Sequence, residues 1–178
     1  MNQLNFFDRK EPVGFLGGNL PHWRQDGVTY FVTFRLGDSM PQRKLWQWTR
    51  ERDEWMRQHP LPRNNAECAE YYGRFVTRFE RWLDTGYGSC VLAAESCRQI
   101  VEQAIRWFDG VRYHLGQFVV MPNHVHAVVV PYGSHRLSSI VQSWKRNSAR
   151  KINESLGRRG CLWQKESFDH IVRSIHEL

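Results

Sequence analysis

Hydrophobic and polar positions follow two different periods along this chain, and each change of period marks the end of a predicted element. Runs rich in β-branched and aromatic side chains, bounded by Gly, Pro or Asn, predict β-strands. Such runs occupy residues 28–36, 112–121 and 124–130, with a last, less regular one at 161–164 and 167–173. Only Pro122 and Asn123 separate the second run from the third, and this spacing predicts a tight β-hairpin.

Apolar residues at helical spacing predict four α-helices. They cover about residues 41–59, 65–83, 93–108 and 137–156. Pro41 suits the first turn of the first helix, and Pro60 and Pro62 follow its end. The first two helices lie together after the first strand, so we expect residues 41–84 to form an insertion.

The predicted elements follow the order of a split βαβ unit with one insertion: strand, inserted helical pair, helix, strand, strand, helix, strand. It predicts an α+β protein with a ferredoxin-like antiparallel sheet and helices on one face. A chain of 178 residues fits one domain, which we expect to span residues 27–178. Residues 1–26 carry scattered Gly and Pro and are expected to form an irregular arm.

The charge of the chain narrows the class of partner. There are 25 Lys and Arg against 18 Asp and Glu, which gives a net charge of +7 and a pI near 9.5. This balance favours a polyanion such as DNA over an acidic small molecule. The outer side of the last helix is almost entirely positive, which favours phosphate contact by Lys145, Arg146, Arg150 and Lys151.

Eight Trp residues suit either an aromatic core or surfaces that stack on nucleic-acid bases. The first predicted helix shows both possibilities, because three Trp are interleaved with three Arg: Trp46, Trp48, Arg50, Arg52, Trp55 and Arg57. Packing of the indoles with solvated arginines is the favoured interpretation, and a nucleic-acid face is the alternative.

The four Cys show no zinc-ribbon spacing and no Cys-x-x-Cys pair, which indicates reduced thiols in a cytoplasmic protein. The first residues are charged and do not form a signal peptide, and no apolar run is long enough to span a bilayer. We therefore expect no membrane partner.

His124 and His126 are the candidate metal ligands. Alternate residues of a strand project from the same face, so their two imidazoles are expected to lie side by side, next to the predicted turn. Neutral imidazoles can share a divalent ion, but two ligands alone do not complete a catalytic site. Two unrelated polar positions are the alternative interpretation.

Several separated motifs resemble one known family. Met121-Pro122-Asn123-His124-Val125-His126, together with residues 27–36, 141–145 and 163–173, resembles the REP-associated tyrosine transposases. These are single-tyrosine enzymes with a His-hydrophobic-His (HUH) motif and an IS200-like domain. The resemblance covers roughly residues 21–178.

The resemblance implies a ferredoxin-like catalytic domain in which His124 and His126 bind Mg²⁺ or Mn²⁺. The ion polarises a phosphate of single-stranded DNA, and a tyrosine attacks that phosphorus and displaces the 3′-oxygen, which leaves a 5′-phosphotyrosine and a free 3′-hydroxyl. Family members act beside the foldback hairpins of repetitive extragenic palindromes. The implied partners are single-stranded and hairpin DNA, in a cytoplasmic, nucleoid-associated protein.

The chain departs from the family pattern at the nucleophile. The family tyrosine lies on a helix after the last strand, and this sequence ends at residues 174–178, where that helix is expected to begin. None of the six tyrosines occupies the corresponding place. Because that helix would cover part of the sheet, Val128 and Val130 are expected to form an exposed apolar patch, unless a second copy of the chain or another segment masks them.

Two alternatives to a metal-assisted tyrosine transposase stay open at this point. One is a hairpin-DNA-binding protein without catalysis. The other is a metal-dependent phosphodiester hydrolase that uses the His pair and a water nucleophile.

Overall fold

The computed structural model describes residues 5–7, 14–16, 22–60 and 63–174. Its strands and helices in chain order are β1 (Gly14–Leu16), β2 (His22–Arg24), β3 (Tyr30–Arg35), α1 (Gln42–Gln58), α2 (Asn65–Tyr71), α3 (Thr77–Asp84), α4 (Glu95–Arg106), β4 (Tyr113–Val120), β5 (His124–Pro131), α5 (Leu137–Ser155) and β6 (Phe168–Ile171). A π-helical segment, Tyr72–Val76, joins α2 to α3, and a 3₁₀ turn precedes α4. None of the described helices is long and apolar enough to span a membrane.

The chain divides into two compact units, Asp38–Cys90 and the remaining residues. The larger unit contains a four-stranded antiparallel sheet in the order β4-β5-β3-β6. This order, with α4 and α5 between the strands of the chain, confirms the predicted ferredoxin-like α+β fold. The predicted hairpin is confirmed as well: β4 and β5 are joined by Met121, Pro122 and Asn123, and the N–H of Met121 donates to the carbonyl of His124 at 2.9 Å.

The core of the larger unit lies on one face of this sheet. Inward-facing Phe34 of β3 contacts the indole of Trp144 from α5, with ring centroids 6.2 Å apart. Trp144 is 1% exposed and donates its indole N–H to the hydroxyl of Tyr113 at 2.8 Å. Because side chains alternate along a strand, the neighbours of Phe34, Thr33 and Arg35, belong to the opposite face of the sheet.

The smaller unit is built from α1, α2, α3 and the π-helical segment. Trp48 and Trp55 of α1 are buried, and their indole N–H groups donate to the carbonyl of Phe75 and the carboxylate of Glu70. The packing interpretation is therefore confirmed for these two residues. Trp46 differs, since it is 65% exposed.

The amino-terminal arm is more regular than expected in the two segments that the structure describes near its middle. β1 and β2 pair antiparallel, with Phe15 opposite Trp23. The expectation of an irregular arm is wrong for these segments, because runs of three residues are too short to show a period in the sequence. Other parts of the arm lie outside the described residues.

Candidate metal and DNA site

The two candidate histidines lie together on the face of the sheet that is opposite to the helices. His124 opens β5 directly after the Pro-Asn turn, and His126 follows two residues later. Their Nε2 atoms are 3.0 Å apart, and the ring centroids are 4.7 Å apart. The prediction that both imidazoles project from one face is confirmed.

Each imidazole is held at its other nitrogen by a neighbour. The Nδ1 of His124 is 2.7 Å from the side-chain oxygen of Asn123, and the Nδ1 of His126 is 2.8 Å from the hydroxyl of Thr33. Since an amide oxygen only accepts, His124 carries its proton on Nδ1, and its Nε2, which is 3.0 Å from the Nε2 of His126, carries none. Thr33 can donate or accept, so it supports either tautomer of His126.

Burial keeps His124 neutral over a wide pH range. The side chain is 1% exposed, and burial together with the charge that His126 takes up on protonation lowers the pKa of His124 from 6.5 to about 4. His126 is half-buried, so the pair is not sealed from solvent. A neutral imidazole with a free lone pair is the form that binds a metal ion.

The pair fits one divalent ion. Two nitrogens 3.0 Å apart have the separation of neighbouring ligands at a right angle, each about 2.1 Å from a shared centre. The hydrogen bonds from Asn123 and Thr33 are the kind of outer support that orients metal-bound histidines. Among the described residues, no group of three or more His, Cys, Asp or Glu is arranged to hold a metal, so this part of the chain supplies the pair alone.

The free energy of unfolding of the metal-free protein is expected to fall as the pH drops from 6.5 to about 4. In the unfolded chain His124 takes up a proton near pH 6.5, but in the folded protein only near pH 4, so the unfolded state binds more protons within this window. The pKa difference corresponds to a loss on the order of 3 kcal/mol. Urea titrations at several pH values measure it, and His124→Gln should flatten the pH dependence by about one proton. An unchanged slope in that variant would contradict the assignment.

The predicted apolar patch beside the histidines is wrong. Val128 and Val130 are each 7% exposed, so both are buried. Part of the reason lies in β4, whose register with β5 shifts between Leu115 and Phe118. The main chain at Gly116 approaches so closely that a Cβ there would lie 3.1 Å from the side chain of Val128. A glycine at this position therefore lets the neighbouring strand cover Val128.

The four predicted DNA-binding residues of α5 divide into two groups. Lys145 is half-buried and donates its ammonium group to the carbonyl of Lys165 at 2.8 Å, and burial lowers its pKa. The other three side chains are exposed, and we call them the α5 basic face: Arg146, Arg150 and Lys151. Because α5 packs on the helical side of the sheet, the α5 basic face and the histidine pair lie on opposite sides of that sheet.

Sequence reasoning singled out neither Thr33 nor Arg35 as part of this site. Thr33 lies opposite His126 and Arg35 lies opposite His124 in the antiparallel ladder between β3 and β5. Arg35 is buried, and burial lowers its pKa. The sequence offered one signal: both residues lie near the end of the first strand, two positions apart, so their side chains project from the same face. Their pairing with histidines about ninety residues away depends on a register that the sequence does not specify.

One family model matches the part of the chain that contains this site. Residues 88–173 match the family described as transposase IS200 like. The matched segment contains α4, the β4–β5 hairpin, α5 and β6, and it amounts to slightly less than half of the chain. The resemblance drawn from the sequence motifs is thereby confirmed for these residues. No curated protein matches the chain.

Two solved structures are similar to this chain at low identity. One is a REP-associated tyrosine transposase bound to a REP hairpin, with 16% identity and a TM-score of 0.38, over 89% of this chain and 66% of that one. The other is a protein from Deinococcus radiodurans R1 assigned as a transposase, with 15% identity and a TM-score of 0.42, over 84% and 82%. The chain thus spans about two thirds of the length of the first structure.

Proposed function

We propose that this protein is a DNA-processing domain of the IS200-like transposase type. It binds single-stranded DNA next to a palindromic hairpin, in the cytoplasm and in association with the nucleoid. The observation that carries the proposal is the pair of Nε2 atoms 3.0 Å apart, with both Nδ1 atoms held, inside the segment that the family model matches.

His124 and His126 would hold Mg²⁺ or Mn²⁺ between their Nε2 atoms. When bound, the ion supplies a Lewis acid for a DNA phosphate. Neighbouring residues set the protonation state and the orientation of the two imidazoles: Asn123 fixes the tautomer of His124, and Thr33 orients His126.

A tyrosine is the nucleophile that the family resemblance implies, and no tyrosine of this chain is assigned that role. Tyr30 and Tyr113 lie on the helical side of the sheet, where their hydroxyls bond to main-chain atoms of Gln25 and Ile105. Tyr132 follows the far end of β5. We propose that this chain binds a hairpin substrate, and a test for a covalent adduct shows whether any of its tyrosines acts as a nucleophile.

A labelled hairpin oligonucleotide with a single-stranded flank, incubated with the protein and Mn²⁺, tests this proposal. Binding strengthened by Mn²⁺ in the wild type but not in His124→Ala supports it. A protein-DNA adduct that survives denaturant would assign a working tyrosine. Cleavage without an adduct, abolished by His124→Ala, identifies a hydrolase with a water nucleophile. Binding that is indifferent to metal and to His124→Ala identifies a hairpin-binding protein without catalysis.

The α5 basic face is expected to supply part of the electrostatic binding energy. Changing Arg146, Arg150 and Lys151 together to Gln should flatten the slope of log Kobs against log salt by about two to three, since each phosphate contact contributes roughly 0.9. Fluorescence anisotropy with the hairpin from low to moderate salt measures this slope. His126→Ala, assayed without metal, is the control and should keep the wild-type slope. A triple variant with that same slope would exclude α5 from the interface.

A further inference from the structure

The three Trp residues of α1 differ in how far their side chains are buried. Trp48 and Trp55 are buried, and both indole N–H groups are bonded within the smaller unit. Trp46 is 65% exposed, and its indole N–H forms no hydrogen bond with the described residues. Exposing a side chain of this size gives up the burial that stabilises the other two. Packing therefore does not account for Trp46.

Two guanidinium groups lie on the same side of α1 as this indole. Arg43 lies three residues before Trp46, Arg50 lies four residues after it, and both are exposed. At this spacing the three side chains form a row along one side of the helix. The guanidinium carbon of Arg50 is 5.6 Å from the centre of the Trp46 ring. We call this row the α1 platform: Arg43, Trp46 and Arg50.

The cations of the α1 platform differ from those in the second half of α1 in their salt bridges. The acids of the second half of α1 are each paired with an arginine: Glu51 with Arg78, Asp53 with Arg52, and Glu54 with Arg57. The first half, residues 42–50, holds Arg43, Lys44 and Arg50 and no acid. None of these three cations forms a salt bridge with the described residues, although Lys44 lies over the ring of Trp82.

We propose that the α1 platform binds single-stranded DNA by stacking an unpaired base on Trp46. The indole offers a face that every base can stack on, and Arg43 and Arg50 offer charge to the phosphates on either side of that base. Charge complementarity selects this occupant, because an exposed aromatic ring flanked by two cations that form no salt bridge with the described residues matches the alternation of bases and phosphates in a strand. Paired bases in a duplex present no free face, so the platform distinguishes unpaired from paired DNA.

This inference rests on the proposed function, because it assigns the unpaired flank of the same substrate to a second surface. A second copy of the chain is the other occupant that an exposed Trp could receive. That occupant would make Trp46 control self-association rather than DNA affinity.

Affinities for a single-stranded oligonucleotide and for a blunt duplex of the same length, measured by anisotropy without metal, test the proposal. Trp46→Ala should weaken binding of the single strand roughly five- to a hundredfold, the range measured for one stacked base, and should leave duplex binding unchanged. Trp46→Phe should recover much of the loss, because a phenyl ring still stacks. The matched control is Trp107→Ala, which removes a comparably exposed indole, 74% exposed, at the end of α4.

Trp46→Ala with wild-type affinity for the single strand would overturn the proposal. Equal losses for single strand and duplex would overturn it too, since they would show a purely electrostatic surface. A change in sedimentation coefficient without a change in DNA affinity would assign the platform to self-association. If no version of the protein, the wild type included, binds DNA, the proposed function fails first. If binding requires the histidine pair but not Trp46, only this inference fails.

Discussion

Replacing His126 with Ala is expected to weaken Mn²⁺ binding by at least about a hundredfold. The change removes one of two nitrogens that lie 3.0 Å apart and leaves a single imidazole to hold the ion. Losing an outer residue that only orients a ligand typically costs 10- to 100-fold in metal affinity, and losing the ligand itself costs at least as much. Isothermal titration of the metal-free protein with Mn²⁺ at pH 7 measures the effect. His126 is half-buried, so the variant should remain folded.

Two further variants separate ligation from general disturbance of the sheet. Thr33→Val keeps the shape of the side chain and removes the hydroxyl 2.8 Å from the Nδ1 of His126, so it should weaken Mn²⁺ binding by about 10- to 100-fold. His170→Ala removes another imidazole from the same sheet face, across Phe31 from His126, and should leave the affinity unchanged. A loss in His170→Ala as large as that in His126→Ala would mean that the two histidines of β5 are not the binding pair.

The fold and the histidine pair could be predicted because both follow from local patterns. The alternation of residues 124–130 and the two turn residues before them determine which side chains share a face, whatever the rest of the chain does. The helices were predictable for the same reason, with one difference: the second predicted helix contains a π-helical segment around Gly73. Glycine is a weak helix former, and its effect on hydrogen-bond register does not show in the apolar spacing.

The parts that could not be predicted depend on pairing between distant residues. Thr33 meets His126 only because β3 lies beside β5 in one particular register. The burial of Val128 could not be predicted, because the irregularity in β4 that brings Gly116 against it leaves no pattern in the sequence. Each of the three Trp of α1 lies within a few residues of an arginine, and the packing of the smaller unit decides that Trp46 stays outside.

The distribution of positive charge over the fold is another feature that the sequence alone could not predict. The sequence gives a net charge of +7, but the smaller unit holds nine Lys and Arg against eight Asp and Glu, so +6 belongs to the rest of the chain. Three of those cations form the α5 basic face, on the side of the sheet that does not carry the histidines. A substrate that contacts both the α5 basic face and the histidine pair must therefore pass around an edge of the sheet. A hairpin with a flexible single-stranded flank can make this path more easily than a rigid duplex.

Replacing Trp144 with Ala is expected to lower the free energy of unfolding by about 3–5 kcal/mol, the usual cost of deleting a large buried aromatic side chain. Trp144 is 1% exposed and contacts the rings of both Phe34 and Tyr113, so its loss leaves a cavity between α5 and two strands. It also removes the indole donor to the buried hydroxyl of Tyr113. Urea unfolding followed by near-ultraviolet circular dichroism measures the change.

Two matched variants show whether burial is the cause. Trp144→Phe keeps most of the volume and removes the indole N–H, so it should cost clearly less than Trp144→Ala, on the order of 1–3 kcal/mol. Trp107→Ala deletes an indole that is 74% exposed and should change stability by no more than about 0.5 kcal/mol. If Trp107→Ala and Trp144→Ala destabilised the protein equally, α5 would not be packed on the sheet through Trp144. The opposite placement of the histidine pair and the α5 basic face would then lose its structural basis, because that placement depends on this contact.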